Sequence, residues 1–218
     1  MIEQILPAAA VAVEAFGDDD AAALFPAEQE AVGRAVEKRR REFTTARGCA
    51  REALGRLGFE AGPIPSGARG EPLWPAGAVG SISHCDGYRA AAVARAGELA
   101  SIGIDAEPNQ PLPQGLLGDV ALPAEAERLR ELARQAPTVN WDRLLFSAKE
   151  AVYKAWFPLA QRWLGFEDAQ LEIDPDAGSF SARLLVPGPT LAAAELRGFE
   201  GRWLLGRGLV LTAVAVRT

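Results

Sequence analysis

The chain has 218 residues, 24% charged and 49% hydrophobic, with a formal net charge of −6. That balance excludes the broad basic face a general nucleic-acid binder needs, while the length suffices to bury a sizeable core, as one large domain or two small ones. The two cysteines, Cys49 and Cys85, have neither metal-knuckle nor disulfide-framework spacing, so a reducing, cytoplasmic setting is expected.

Near the start, Glu3 and Pro7 stand in the first apolar stretch and no basic region precedes it, which argues against a leader. No later apolar run approaches the roughly 18 residues that could span a bilayer, so no membrane partner is expected. Ala8 to Phe16 reads as a strand closed by the acidic break Gly17-Asp18-Asp19-Asp20, and a helix is expected from about Ala27 to Gly58. In that helix Lys38, Arg39, Arg40, Arg41, Arg47 and Arg51 crowd a stretch whose apolar positions include Phe43, Ala50, Ala53, Leu54 and Leu57. Such a face is either simply solvated or an anion site, since arginine forks suit bidentate phosphate contacts.

Gly62 to Gly77 is a Gly- and Pro-rich loop carrying Arg69. Val79 to His84 and Arg89 to Arg95 then flank Asp86-Gly87, a hairpin turn signal. Ile102-Gly103-Ile104-Asp105-Ala106-Glu107 reads as a buried strand, whose period of two puts Asp105 and Glu107 on one side. Pro108-Asn109-Gln110-Pro111-Leu112-Pro113 sustains neither regular structure, and the boundary between two halves, 1–112 and 113–218, is placed there.

The second half restarts with apolar residues between Gly115 and Leu122, a helix from Pro123 to Arg134, and another from Trp141 to Leu159, interrupted at Pro158. Two hairpins follow, Leu171 to Asp174 with Phe180 to Val186, and Trp203 to Leu205 with Leu209 to Val216. The fold class expected is α/β in an α+β arrangement, each half a long helix on a small, mostly antiparallel sheet.

The chemistry sits in two of these elements. On a helix, Glu150 and Lys154 are i, i+4 neighbours, so an acid and a cation project together. With Asp105 and Glu107 they offer oxygen ligands suited to Mg²⁺ or Mn²⁺, and Mg²⁺ keeps positions open for water and phosphate. Singly, the same residues read as a solvated strand end and a surface ion pair. His84, the only histidine, reads by itself as a hydrogen-bonded structural residue.

Three segments taken in order change that balance: Ser81-Ile82-Ser83-His84, Gly103-Ile104-Asp105-Ala106-Glu107, and Phe146-Ser147-Ala148-Lys149-Glu150-Ala151-Val152-Tyr153-Lys154. They resemble the S-x-[ST]-H, G-[IV]-D-x-E and [FW]-[SC]-x-K-E-[AS]-x-[YF]-K segments of the Sfp-type 4′-phosphopantetheinyl transferases. The resemblance continues through Arg39 to Arg47, Gly70 to Pro75 and Ala155 to Phe166, and is nearest to the branch of enterobactin-type and actinobacterial enzymes.

The resemblance implies two halves related by a pseudo-two-fold axis with a site in the cleft between them. It implies transfer of 4′-phosphopantetheine from coenzyme A, the co-substrate, to a serine of an apo acyl or peptidyl carrier protein, with release of 3′,5′-ADP. Siderophore, polyketide, nonribosomal peptide or lipid synthesis would use the product, and a monomer is expected. By resemblance Asp105, Glu107 and Glu150 hold Mg²⁺, with Mn²⁺ as the alternative, and Asp105, Glu150 and Lys154 form the catalytic set. Glu150 is read as a ligand rather than a base, because a carboxylate on a divalent cation is less basic.

Also by resemblance, Arg39 and Arg47 grip coenzyme A phosphates, Ser83 and His84 contact the nucleotide's phosphates, and Leu164 lines the cofactor pocket. Ser66 stands where relatives often carry lysine, leaving Arg69 as the loop's cation. Trp156 and Trp163 are read as core aromatics. Two other readings differ in class. A non-catalytic module would bind coenzyme A or a carrier without transfer. A hydrolase could use Ser81, Ser83, His84, Cys85 and Asp86, but adjacent strand residues face opposite ways and no Gly-x-Ser-x-Gly elbow is present.

Overall fold

A computed structural model describes residues 1–218. A short 3₁₀ turn, Ile2–Ile5, precedes β1 (Val11–Ala15), and α1 (Pro26–Gln29) runs into a second 3₁₀ turn before α2 (Glu37–Arg56). The single helix expected from about Ala27 is therefore broken, with Val36 extended at its start. The cause is Glu28, fully buried, whose carboxylate accepts bonds from the amides of Phe25 and Ile64, both 2.8 Å, and from Arg51 of α2. The short helix is thereby held across α2 instead of extending it.

β2 (Ala78–Cys85) and β3 (Tyr88–Arg95) form the expected hairpin, with Gly87 at a φ of 75°. Together with β1 they make a three-stranded sheet in the order β1-β3-β2. β4 (Leu99–Pro108) leads through α3 (Leu117–Val120) and α4 (Pro123–Gln135) to α5 (Trp141–Ala160). β5 (Ala169–Asp174), β6 (Ser179–Leu184), the small ribbon β7 (Thr190–Leu191) with β8 (Ala194–Glu195), β9 (Gly198–Gly206) and β10 (Leu209–Arg217) complete the chain. Mixed helices and antiparallel sheets are thus the observed class, as expected. Both C-terminal hairpins pair as read, β5 with β6 and β9 with β10.

The sheets do not divide where the boundary was placed. β4 belongs with the C-terminal strands in a five-stranded sheet ordered β4-β10-β9-β6-β5, Asp105 lying opposite Thr212. Burial explains this. Ile102, Ile104 and Ala106 are enclosed in a cluster with Tyr88, Ala90, Ala92 and Ala94 of β3, while Ser101 and Gly103 on the other face meet α5. A strand needing cover on both faces sits between the layers, and burying each isoleucine contributes roughly 1.5–3 kcal/mol.

Gly103 governs how close α5 comes. A Cβ there would lie 1.9 Å from the carbonyl oxygen of Ala151 and 2.7 Å from the amide nitrogen of Ala155. Glycine thus lets the helix backbone rest on the strand, bringing residues 150 and 154 to the level of Asp105. Pro158 does not interrupt α5, which runs to Ala160; the proline forfeits the amide bond to the Lys154 carbonyl, but little helix follows it, and Gln161 ends the helix with a left-handed φ of 53°. No helix is long and apolar enough to cross a membrane.

Candidate active site at the junction of the two sheets

The free edge of β4 is capped by hydroxyls instead of a strand. Ser81 Oγ accepts the Ile104 amide and Ser83 Oγ the Ala106 amide, each at 3.0 Å. The Ser-x-Ser spacing on β2 matches the period of two on β4, so two buried amides are satisfied where an orphan would cost about 1–3 kcal/mol each. Ser83, buried, also donates to Asp105 Oδ1 at 3.1 Å. It thereby bridges the two sheets. Ser81 and Ser83 are committed in this way, and the Cys85 thiol is pushed up to about 12 by burial and by Glu107 and Asp105, so the hydrolase reading has no nucleophile.

Asp105 is the centre. Its Oδ1 accepts from Lys154 Nζ at 2.7 Å, and Lys154 donates also to the Ile104 carbonyl at 3.1 Å. Its Oδ2 is buried without a partner. Burial first, then the charge of Asp105, holds both Glu150 and Glu107 above the ordinary carboxylate range. Negative charge is thus gathered beyond what Lys154 offsets, and an unpartnered carboxylate oxygen marks where a cation fits.

Asp105 and Lys154 are in contact, and Glu150 lines the same cavity as Lys154 and feels both charges, yet the three carboxylates do not close on one point. No set of three His, Cys, Asp or Glu side chains is disposed to hold a metal ion. Glu107 is engaged instead by Arg143, whose Nη1 donates to Oε2 at 2.8 Å.

Two cavities meet beside these groups. The first, about 510 Å³, is lined by Arg69, Trp74, Ser81, Glu150, Tyr153 and Lys154 among others. The second, about 340 Å³ and mostly apolar, includes Phe146, Val152, Trp163, Leu164 and Phe166. Glu150 and Tyr153 line both. Leu164 thus lies in the second cavity and Arg69 in the first. Trp156 is fully buried as expected, but Trp163 is 62% exposed and packs on Tyr153 with ring centroids 4.9 Å apart, correcting its reading as a core residue. It is a rim residue because the chain leaves the helix at Gln161, before it can carry the ring inward.

The basic stretch of α2 splits. Arg39 is exposed and donates to the ring of His84. Arg47 is buried, stacked on Phe43 at 4.2 Å, and donates to the Ile64 carbonyl at 2.9 Å and to Ser66 Oγ at 3.2 Å. Two of its donors hold the loop, one through the Ile64 carbonyl and one through Ser66 Oγ. Burial, then Arg39, Lys154 and Arg89, pushes the His84 imidazole down to about 4.

The ring is therefore neutral at pH 7, and its folded value lies below the unfolded one of about 6.5. As pH falls through that window the unfolded chain takes up a proton that the folded one refuses, so stability drops between about 6.5 and 4. Because His84 is the only histidine, proton NMR reports it without ambiguity. Arg39→Ala is expected to move its midpoint upward, and an unchanged midpoint would exclude the pairing.

Three features escaped the sequence reading. Arg143 clips the end of β4 to α5. Gly103 sets the helix distance. Lys149 and Glu125, both 2% exposed, pair at 2.9 Å, and Lys149 also donates to the carbonyls of Phe166 and Ala169. Removing one partner of such a buried pair costs about 3–5 kcal/mol. The available signal was Glu125 itself, third in a helix that begins with proline and accepting the Leu122 amide.

Residues 27–94 match the family described as the 4′-phosphopantetheinyl transferase N-terminal domain, and residues 101–207 the 4′-phosphopantetheinyl transferase superfamily. The chain is 58% identical to the 4′-phosphopantetheinyl transferase Svp of Streptomyces mobaraensis, over 99% of this chain and 89% of that one. It is 46% identical to the 4′-phosphopantetheinyl transferase PptT of Mycobacterium tuberculosis, over 99% and 98% respectively. Enterobactin synthase component D of Escherichia coli strain K12 is 35% identical over 63% of this chain and 63% of its own length.

Proposed function

Since the chain belongs to the 4′-phosphopantetheinyl transferase superfamily and is such a transferase, we propose that it moves the phosphopantetheine arm of coenzyme A onto a serine of an apo acyl or peptidyl carrier protein, with Mg²⁺ and release of 3′,5′-ADP. The observation that carries this reading is the meeting of Asp105, Glu150 and Lys154 where the two cavities join, with Asp105 Oδ2 unpartnered.

The larger cavity, with the cations Arg69 and Lys154, suits the nucleotide end, and the more apolar one suits the pantetheine arm. The diphosphate then lies at Glu150 and Tyr153, which the cavities share. A bound Mg²⁺, or Mn²⁺ in its place, held by Asp105 and Glu150 with Glu107 nearby, would offset diphosphate charge and orient the in-line displacement. Lys154, fixed by Asp105 and the Ile104 carbonyl, presents its ammonium to a phosphate oxygen. Arg39 and His84 form the outer cationic edge; a neutral imidazole leaves the guanidinium as the charge there.

The serine oxygen bonds to the pantetheine-side phosphorus as the bond to the oxygen that leaves with 3′,5′-ADP breaks, and the hydroxyl proton passes to water. No enzyme nucleophile is needed. Apo-carriers of siderophore, polyketide, nonribosomal peptide or lipid assembly are the partners, acting with a monomer of this chain.

Incubation with apo-carrier, coenzyme A and Mg²⁺, followed by intact-mass measurement, is expected to show the carrier heavier by one phosphopantetheine. Cofactor binding with no mass gain on any such carrier would favour the non-catalytic module instead.

A further inference from the structure

Asp105 and Glu107 lie on one side of β4, yet the helix facing them treats them differently. Ser101 donates to the Ala155 carbonyl at 2.7 Å and Glu107 pairs with Arg143 at 2.8 Å, so strand and helix run in opposite directions. Moving from Asp105 to Glu107 advances about 6.6 Å along the strand. Moving from Glu150 to Arg143 retreats seven residues along α5, about 10.5 Å. Asp105 is thus level with the Glu150 turn, and Glu107 with the turn carrying Arg143.

Arg143 cannot follow Glu107 elsewhere. Its Nε donates to the Gln110 carbonyl at 3.0 Å and Nη2 to the Pro111 carbonyl at 2.9 Å, leaving Nη1 aimed at Glu107. All three arms of the fork are used, two of them on the backbone of the linker after β4. Arg143 holds Oε2 of Glu107, so only Oε1 is left to reach a cation at Asp105 Oδ2, and a cation taken there settles beside a guanidinium. Meanwhile Asp105 Oδ2 has no partner.

We infer that Arg143 withholds Glu107 from the cation: Asp105 and Glu150 are the two protein carboxylates that ligate it, and Glu107 latches the end of β4 and the linker to α5. This rests on the metal reading proposed above. It makes Arg143 a positioning residue that keeps the site at two carboxylates, leaving more of the cation's coordination to water and diphosphate oxygens.

The test is Mn²⁺ titration of the full chain without coenzyme A, read by electron paramagnetic resonance of the free ion, with thermal melting run in parallel. Asp105→Asn and Glu150→Gln are expected to weaken Mn²⁺ binding by roughly tenfold or more, and Glu107→Gln, whose amide oxygen still accepts from Arg143, by less than about threefold. Arg143→Gln frees a carboxylate and removes a positive charge, so it tightens Mn²⁺ several-fold, and the double variant Arg143→Gln with Glu107→Gln loses that gain. Should Arg143→Gln fail to fold, the Glu107→Gln comparison decides alone.

Loss of binding in Glu107→Gln as large as in Asp105→Asn overturns the inference while leaving the metal reading intact. No Mn²⁺ binding by the unmodified chain overturns both. A shared drop in melting temperature with unchanged Mn²⁺ affinities in every variant also excludes the assignment.

Discussion

Asp105→Ala and Glu150→Ala are each expected to slow phosphopantetheine transfer by about 10²–10³-fold, the usual loss when a preorganised charge is taken from a transition state. The two should differ in stability. Asp105 is the counter-charge of Lys154, so its removal leaves an ammonium held by the Ile104 carbonyl and lowers the melting temperature.

Glu150 is different, because burial and Asp105 hold its carboxyl above the ordinary range. Between the unfolded and the raised folded value the native state binds more protons, so stability falls as pH rises through that interval, and above it the charged group works against the fold. Glu150→Gln is therefore expected to melt higher than the parent at neutral pH while losing turnover. That is the trade between stability and activity shown by sites that gather like charge. Carrier mass measurement and melting curves check both, and full turnover in either alanine variant would remove the metal assignment.

The second large effect lies outside any ionisable group. Gly103→Ala places a methyl 1.9 Å from a helix carbonyl, and the obstructing atoms are backbone, which cannot swing aside. Overpacking of this kind costs about 1–3 kcal/mol, and more where nothing flexible yields. The helix must shift outward, stretching the 2.7 Å contact between Lys154 and Asp105. A misplacement of about 1 Å costs on the order of 10²-fold in rate. Gly97→Ala, which meets nothing within 4 Å, is the control. Equal melting temperatures and rates for the two variants would show that Gly103 does not set the spacing.

Much of this was readable before folding. Asp105 and Glu107 were placed on one face by the alternation of Ile102 and Ile104, and Glu150 with Lys154 on one helical face by their four-residue spacing; both placements depend on local geometry alone. The hairpin at Asp86-Gly87 and the two C-terminal hairpins follow from turn residues in the same way. The helix start at Glu37 did not, because it is imposed by Glu28 bonding to Ile64, 36 residues away. Nor did the sheet to which β4 belongs, since a run apolar on one face and small on the other says that two covers are needed without saying which.

Residue order alone settled which side chains share a face, where turns fall, and the family to which the motifs belong, since periods of two and 3.6 need only nearest neighbours. Long-range packing settled which charged groups remain available. Arg47, Glu107 and Lys149 carry the same functional groups as Arg39, Glu150 and Lys154, yet each of the first three is committed to a partner 17 to 36 residues away. A charged group can serve chemistry only where the packed chain leaves it on a cavity wall, as it leaves Glu150 and Lys154 even with Asp105 and the Ile104 carbonyl beside the ammonium, and that placement is a property of the closed chain.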